Sequence, residues 1–254
     1  MIPKIIHYCW FGHGRLPRMA RKCIKSWKKK MPDYKIMVWN ELNFDVHCCK
    51  YVEEAYVAKK YAFVSDYARL SALDKFGGVY LDTDVEVLKS LDQFLQCPAF
   101  VGFESTEKVG SGIIGSEPHG CLVREWLEDY KNRRFVLPDG NFDITPNVDA
   151  LTRLLHQHGA VLDGKEELVN GYALVYPKTH FCAKDWKTGE YYITQDTYAV
   201  HHFAASWVPS RDRCIWWTES HIGFRAAYYV GYFWRPPRVV IANLLAALKR
   251  RLGL

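Results

Sequence analysis

Apolar positions along the first forty residues change their period twice. Ile2, Ile5 and Ile6 open a short apolar run to Tyr8 that predicts a buried first strand. Pro17 then supplies the fixed backbone angle favoured at a helix start, and Cys23, Ile24, Trp27 and Met31 recur at helical spacing. Pro32-Asp33 ends that segment, and Lys35 to Trp39 reads as a second strand. Strand, helix and strand in succession predict parallel βαβ units in an α/β sheet. From Val52 to Phe76 the apolar residues, Ala62, Leu70 and Leu73 among them, keep a helical period, and Gly77-Gly78 tolerates the left-handed exit from a helix. Val79-Tyr80-Leu81 is a short strand running into Asp82-Thr83-Asp84, and Val85 to Leu88 alternates as a half-buried strand. Further on, Phe100 to Phe103 and Ile113-Ile114 are strand-like, Cys121 to Lys131 and Val148 to His158 are helical, and Tyr198-Ala199-Val200 is a last apolar strand before His201-His202.

Composition fits one enzyme-sized domain with a short appendage: 254 residues, 49% hydrophobic, are enough to bury a full core. The eight cysteines form no C-x-x-C pair, which argues against structural zinc. The chain enters its first strand without a secretory leader, so free thiols in the cytoplasm are expected. Nine Trp and sixteen Tyr offer rings that stack on bases and sugars as readily as they fill a core. The net charge of +6 is concentrated at the ends: Arg15 to Lys30 is crowded with cations, and Arg225, Arg235, Arg238, Lys249, Arg250 and Arg251 lie in a tail without Asp or Glu. An anionic partner at one or both ends follows.

Asp82 and Asp84, two apart in an extended segment, point to one side and can share a hard divalent cation. Such a cation neutralises charge on a departing nucleoside diphosphate. An isolated D-x-D is as often only a turn. Here Ser65-Asp66-Tyr67-Ala68-Arg69 precedes it, with Asp66 and Arg69 on one helix face. That pair is either a surface ion pair or a donor site in which Asp66 takes ribose hydroxyls and Arg69 the sugar or phosphate.

Ser65-Asp66-x-x-Arg69 followed by Gly77-Gly78-x-Tyr80-x-Asp82-x-Asp84 resembles the sugar-binding DXD region of glycosyltransferase family 32. His7-Tyr8-Cys9-Trp10 is also similar to the catalytic domain of large clostridial glucosylating toxins, and the opening residues resemble bacterial polysaccharide-synthesis members. Resemblance covers roughly residues 1 to 210. It implies a GT-A-type α/β fold with a Rossmann-like nucleotide-binding sheet, Mn²⁺ (or Mg²⁺) at the DXD, and a retaining hexosyltransferase using a UDP-sugar, galactose or glucose first. Trp10 would stack on uracil, Ser65, Asp66, Arg69 and Asp82 would hold the donor, and Asp82, Asp84 and Arg69 would carry catalysis. Ala199 to Trp207 resembles the segment that returns a further ligand, which makes His201 the third metal ligand and sets Ser206 and Trp207 over the donor phosphates. A strand-end pair bonded to backbone carbonyls is the plainer alternative for His201-His202.

Gly110 to Ser116 is either a small-residue stretch that lets a sugar approach the backbone or an ordinary loop. Asp143-Ile144-Thr145-Pro146-Asn147 resembles an acceptor-side segment of the family but departs from its Thr-Gly-Pro form. The expected domains are a catalytic unit over 1–220 and a basic aromatic and aliphatic tail over 221–254. In that tail Val240, Ile241, Leu244, Leu245, Leu248 and Leu252 form a helical stripe that either lies on an anionic membrane or docks on the core. The stripe is shorter than the roughly 20 residues of a membrane span. The expected partners are a nucleotide-sugar donor and a glycan acceptor, lipid-linked through polyprenyl diphosphate, in capsule or other polysaccharide synthesis on the inner face of the cytoplasmic membrane. Two other function classes stand beside this. A metal-dependent phosphoesterase or nuclease would want more His and Asp ligands around Asp82. A nucleic-acid binder would want an RRM, KH or helix-turn-helix signature, and none is present.

Overall fold

A computed structural model describes residues 1–186 and 188–204. It divides into two units. Of the second unit only Asp185, Trp186 and residues 188–190 are described, a turn in which the Gly189 amide donates to Asp185 O (2.9 Å) and the Asp185 amide to Glu190 O (2.8 Å). The first unit, residues 1–184 and 191–204, holds all the elements below.

In chain order these are β1 (Ile5–Cys9), α1 (Arg18–Lys30), β2 (Lys35–Trp39), α2 (Lys50–Val57), α3 (Tyr61–Phe76), β3 (Gly78–Leu81), β4 (Val85–Val87), β5 (Ala99–Phe103), β6 (Val109–Ser116), α4 (Cys121–Glu128), α5 (Asn147–Gln157), β7 (Glu167–Val169), β8 (Ala173–Tyr176), α6 (Lys178–Phe181) and β9 (Ala199–His201). Seven strands form one sheet in the order β2-β1-β3-β6-β5-β8-β7, and β4 pairs with β9 in a second, two-stranded sheet. The expected α/β class holds. The parallel pairs are β1 with β2, β1 with β3 and β5 with β8, whereas β6 and β7 run against their neighbours.

Helices cover both faces of the large sheet. One apolar cluster joins α2, α3, α4 and α5 through Val52, Leu70, Leu73, Trp126 and Leu155. The other lies under α1 and includes Cys23, Trp27, Val79, Val85 and Phe94. Trp27 Nε1 donates to Val85 O at 2.7 Å, and the Val87 amide donates to Ser26 Oγ at 2.9 Å, so α1 is stitched directly to β4. His7 is fully buried within β1: its Nε2 is 2.7 Å from Gly77 O and its Nδ1 accepts from Trp39 Nε1 at 3.0 Å. A carbonyl on one side and an indole N–H on the other fix the neutral tautomer with the proton on Nε2.

Four sequence expectations change. The first strand starts at Ile5 rather than Ile2. The helical run to Phe76 is two helices, because Lys59 adopts φ 58° and the amides of Lys59 and Lys60 bond back to Tyr56 O and Ala55 O, a Schellman ending made with lysine in place of glycine. Gly110 to Ser116 is no loop but part of a fully buried strand. Asp82-Thr83-Asp84 is not extended: the Val85 amide closes a turn on Asp82 O at 2.9 Å, and this turn carries the chain from the large sheet into the small one.

Candidate active site

From β1 the chain passes through α1 to β2 on one side of it, and from β2 it returns through α2 and α3, packed on the opposite face, to β3 on the other side of β1. The carboxyl ends of β1 and β3 therefore border a switch point, where open α/β sheets leave a crevice for ligands. Trp10 follows β1 there, half-buried, with its Nε1 donating to Gly14 O at 2.6 Å. Asp82 follows β3 at the same edge, and its amide donates to Gly112 O of β6 at 2.8 Å.

The turn brings Asp82 and Asp84 together, and β9, paired antiparallel to β4, adds His201 opposite Val85. One ligand atom from each of the three lies within 4.8 Å of the others. Neighbouring histidines on an extended strand face opposite ways. Accordingly His201 Nε2 lies 3.2 Å from Asp84 Oδ1, whereas His202 Nε2 turns to Glu86 Oε2 at 2.9 Å. His201 Nδ1 is buried and without a hydrogen bond among the described residues. Two carboxylates and an imidazole form a donor set suited to a hard or borderline divalent cation such as Mn²⁺ or Mg²⁺.

Without a cation, protons and hydrogen bonds balance the charge. Burial would push the Asp84 carboxyl up, but the His201 imidazolium, its hydrogen bond and the Ala204 amide hold it well below the usual carboxylate range. Burial would likewise push the His201 imidazole down, and Asp84 reverses this and raises it well above its ordinary value. A divalent ion would replace that imidazolium proton.

Arg69 lies behind the turn and is almost wholly buried. Its Nη2 contacts Asp66 Oδ1 at 2.8 Å and Asp82 Oδ1 at 3.4 Å, Nη1 donates to Ser111 O at 2.8 Å, and Nε donates to Ser65 O at 3.2 Å. The guanidinium also sits 4.5 Å from the Tyr80 ring centroid, and Tyr80 OH donates to Asp82 Oδ1 at 2.7 Å. Asp66 accepts from Asn147 Nδ2 at 2.6 Å, and Asn147 Oδ1 accepts from Ser111 Oγ at 2.7 Å. Burial pushes the Asp66 carboxyl up to about 6, with Arg69 opposing the rise. Ser65 is half-buried and donates its hydroxyl back to Tyr61 O at 2.9 Å.

Trp10, Ser65, Asp66, Arg69, Asp82, Asp84 and His201 thus gather on one edge of the sheet, while Ser206, Trp207 and the tail lie outside the described residues. Sequence reasoning missed Tyr80, Ser111 and Asn147 as members of this network. Each left a partial signal: Tyr80 stands two residues before Asp82, while Ser111 and Asn147 lie in stretches singled out for a sugar's approach and for the acceptor side. Gly112 lies in the small-residue stretch singled out in the sequence: a Cβ there would lie 3.0 Å from the His201 ring and 3.2 Å from Asp82 Oδ2, so the site needs a bare backbone at that position.

Part of the chain that carries this edge matches a known family model. Residues 17–101 match the family described as "Glycosyltransferase sugar-binding region containing DXD motif". An uncharacterized glycosyltransferase of Acanthamoeba polyphaga mimivirus is 27% identical over 228 residues, 84% of this chain and 87% of that protein. Inositol phosphoceramide mannosyltransferase 3 of Schizosaccharomyces pombe is 29% identical over 132 residues, 48% of this chain, and the match spans only 36% of that longer protein. Among solved structures, the PaToxG glycosyltransferase aligns over 63% of this chain and 73% of its own at 19% identity, with a TM-score of 0.47.

Proposed function

We propose that this chain, a glycosyltransferase bearing the DXD-containing sugar-binding region, transfers a hexose from a UDP-sugar to a glycan acceptor with a divalent cation held by Asp82, Asp84 and His201. The convergence of those three ligands beside the switch point carries the reading. When bound, the cation would neutralise charge on the donor diphosphate.

The chain's own residues divide the remaining work. Trp10, past the end of β1, offers a ring for the uracil base. Asp66 keeps its second carboxylate oxygen for ribose hydroxyls, since Asn147 and Arg69 both engage the first. The donors of Arg69 are directed at protein oxygens, so it serves the donor by holding Asp66 and Asp82 in place rather than by reaching sugar or phosphate itself. Tyr80 and Arg69 occupy Asp82 Oδ1, which leaves Oδ2 for the cation. Ser206 and Trp207 close over the phosphates in this reading. Anomeric retention, with the leaving phosphate assisting the incoming hydroxyl, agrees with the lack of a side-chain nucleophile in the assigned set.

Galactose or glucose is the expected hexose. Mannose competes with them, because two relatives are named as inositol phosphoceramide mannosyltransferases. The acceptor we propose is a lipid-linked oligosaccharide of polysaccharide synthesis, reached from the cytoplasmic face with the basic tail of residues 221–254 on anionic lipid beside a catalytic unit over 1–220. No described helix is long and apolar enough to cross a membrane. A two-metal hydrolase is not favoured, since the described residues offer one three-ligand group.

Thermal unfolding of the full chain with UDP-galactose, UDP-glucose and GDP-mannose, each with and without Mn²⁺, tests the reading. A donor at one hundred times its Kd stabilises the native state by about 2.7 kcal/mol. One UDP-hexose should raise Tm only with the metal present. A Tm raised equally without metal, or by no UDP-sugar, refutes it.

A further inference from the structure

The strands line up at the site edge in the order β1, β3, β6, β5. Under the proposed function, which this inference rests on, Trp10 after β1 faces the base and Asp82 after β3 faces the diphosphate. Whatever follows the diphosphate in the donor must then lie over β6, towards β5.

Two buried glycines of β6 mark that stretch. Gly110 and Gly112, two apart on β6, present one face of the strand, while Ser111 between them turns to Arg69 and Asn147 on the other. A Cβ on Gly112 would lie 3.0 Å from the His201 ring and 3.2 Å from Asp82 Oδ2. A Cβ on Gly110 would lie 3.0 Å from Glu104 Cβ and 3.3 Å from Glu104 Oε2. The two glycines are roughly 7 Å apart along the strand, about the span of one pyranose ring, with the cation ligands over one and the Glu104 carboxyl over the other.

Glu104 stands just past the end of β5, pinned by its amide, which donates to Lys108 O at 2.8 Å. Its side chain forms no hydrogen bond or ion pair with any described residue. A half-buried carboxylate without a protein donor is free to accept hydrogen bonds from a ligand that displaces water. Burial raises the Glu104 carboxyl above its ordinary value, and the nearby His201 charge draws it back.

We propose that Glu104 is the sugar-selecting residue: its carboxylate accepts hydrogen bonds from hydroxyls of the transferred hexose, held along β6 between Glu104 and the cation ligands. A carboxylate only accepts, so it favours a ring that turns two hydroxyl donors toward it and rejects an epimer that turns one away. The two glycines thereby have a purpose, since a side chain at 110 would push on Glu104 and one at 112 on His201 and Asp82, displacing the groups that face the sugar.

The test uses the full chain with Mn²⁺. Calorimetry with UDP, UDP-glucose and UDP-galactose is run on wild type, Glu104→Gln and Gly110→Ala, together with kcat/KM for the slow hydrolysis of each donor and Tm as the check on folding. Both variants should bind UDP as wild type does. Glu104→Gln should lose at least about tenfold in affinity for the preferred UDP-hexose, the scale of one hydrogen bond to a charged group, and its preference between the two hexoses should flatten. Gly110→Ala should show the same selective loss. If Glu104→Gln keeps both affinity and preference, the inference falls while the donor site stands. If the variant loses transfer to acceptor but still discriminates donors, Glu104 faces the acceptor and the inference is overturned. Absence of Mn²⁺-dependent UDP binding in the wild type would sink the donor site and the inference together.

Discussion

Replacing His7 with glutamine gives a measurement of how the sheet interior handles a proton. His7 is wholly buried, donates from Nε2 to Gly77 O, and accepts at Nδ1 from Trp39 Nε1. Burial lowers its pKa from 6.5 to about 4, with the Gly77 carbonyl opposing and Lys35 assisting the fall. Protonation would also turn Nδ1 into a donor facing the Trp39 donor. The unfolded chain takes up this proton below about pH 6.5 and the folded chain only below about 4. The resulting cost to stability is absent above pH 6.5, grows as pH falls, and is complete below pH 4. Each tenfold change in proton affinity is worth about 1.4 kcal/mol, which makes the full cost about 3 kcal/mol. Asp66 acts in the opposite sense. Its carboxyl is raised from 3.8 to about 6, so the folded state gains about 3 kcal/mol as pH falls through that window. The two nearly cancel in the wild type, and only a comparison separates them. By urea unfolding at pH 7.5, His7→Gln should be less stable than wild type by about 1–3 kcal/mol, the cost of a disturbed buried hydrogen-bonding group. At pH 4 the difference between the two proteins should have moved by about 3 kcal/mol in favour of the variant. An unchanged difference at the two pH values would refute the buried neutral imidazole.

Three further outcomes follow from the site. Asp84→Asn should leave the fold intact but abolish transfer and metal-dependent donor binding, because it removes charge from the cation site; normal turnover would end the DXD assignment. His201→Ala should lose most Mn²⁺-dependent activity, while His202→Ala, which breaks the contact to Glu86, should cost about 1 kcal/mol of stability and keep more activity; kinetics at saturating Mn²⁺ in the reverse order would overturn the choice. Trp10→Ala should weaken UDP by roughly 1–3 kcal/mol, the worth of a base stacked on an aromatic ring, and equal calorimetric affinity in both proteins would exclude the stack.

What the sequence made legible was local. The period of α1, the strand ending in Asp82, and the spacing of Asp66 and Arg69 each depend on residues a few positions apart, and each reappears in the fold. What it hid was set across the sheet. Glycines at 110 to 116 left a sugar-approach stretch and an ordinary loop both open, yet Phe100 fills the space a Cβ of Gly115 would take, within 2.0 Å, and His201 crowds Gly112. Such glycines are explained by neighbours distant in sequence, and no local pattern announces them. Lys59 hid a helix end because a lysine carried the left-handed conformation that glycine usually marks. The union of Asp66, Asn147 and Ser111 was likewise invisible, since three separate elements supply it.

The pairing of β4 with β9 also has a consequence for the order in which the protein is made. β3, β4 and α1 are all present once the first ninety or so residues have left the ribosome, and Trp27 can already secure β4. His201 arrives only on the last described strand. A nascent chain therefore holds both aspartates of the site long before it holds the imidazole, and adds the last four strands of its large sheet in between. Under the proposed function the third cation ligand is therefore missing until synthesis has passed residue 201, and a nascent chain short of that point would hold two of the three.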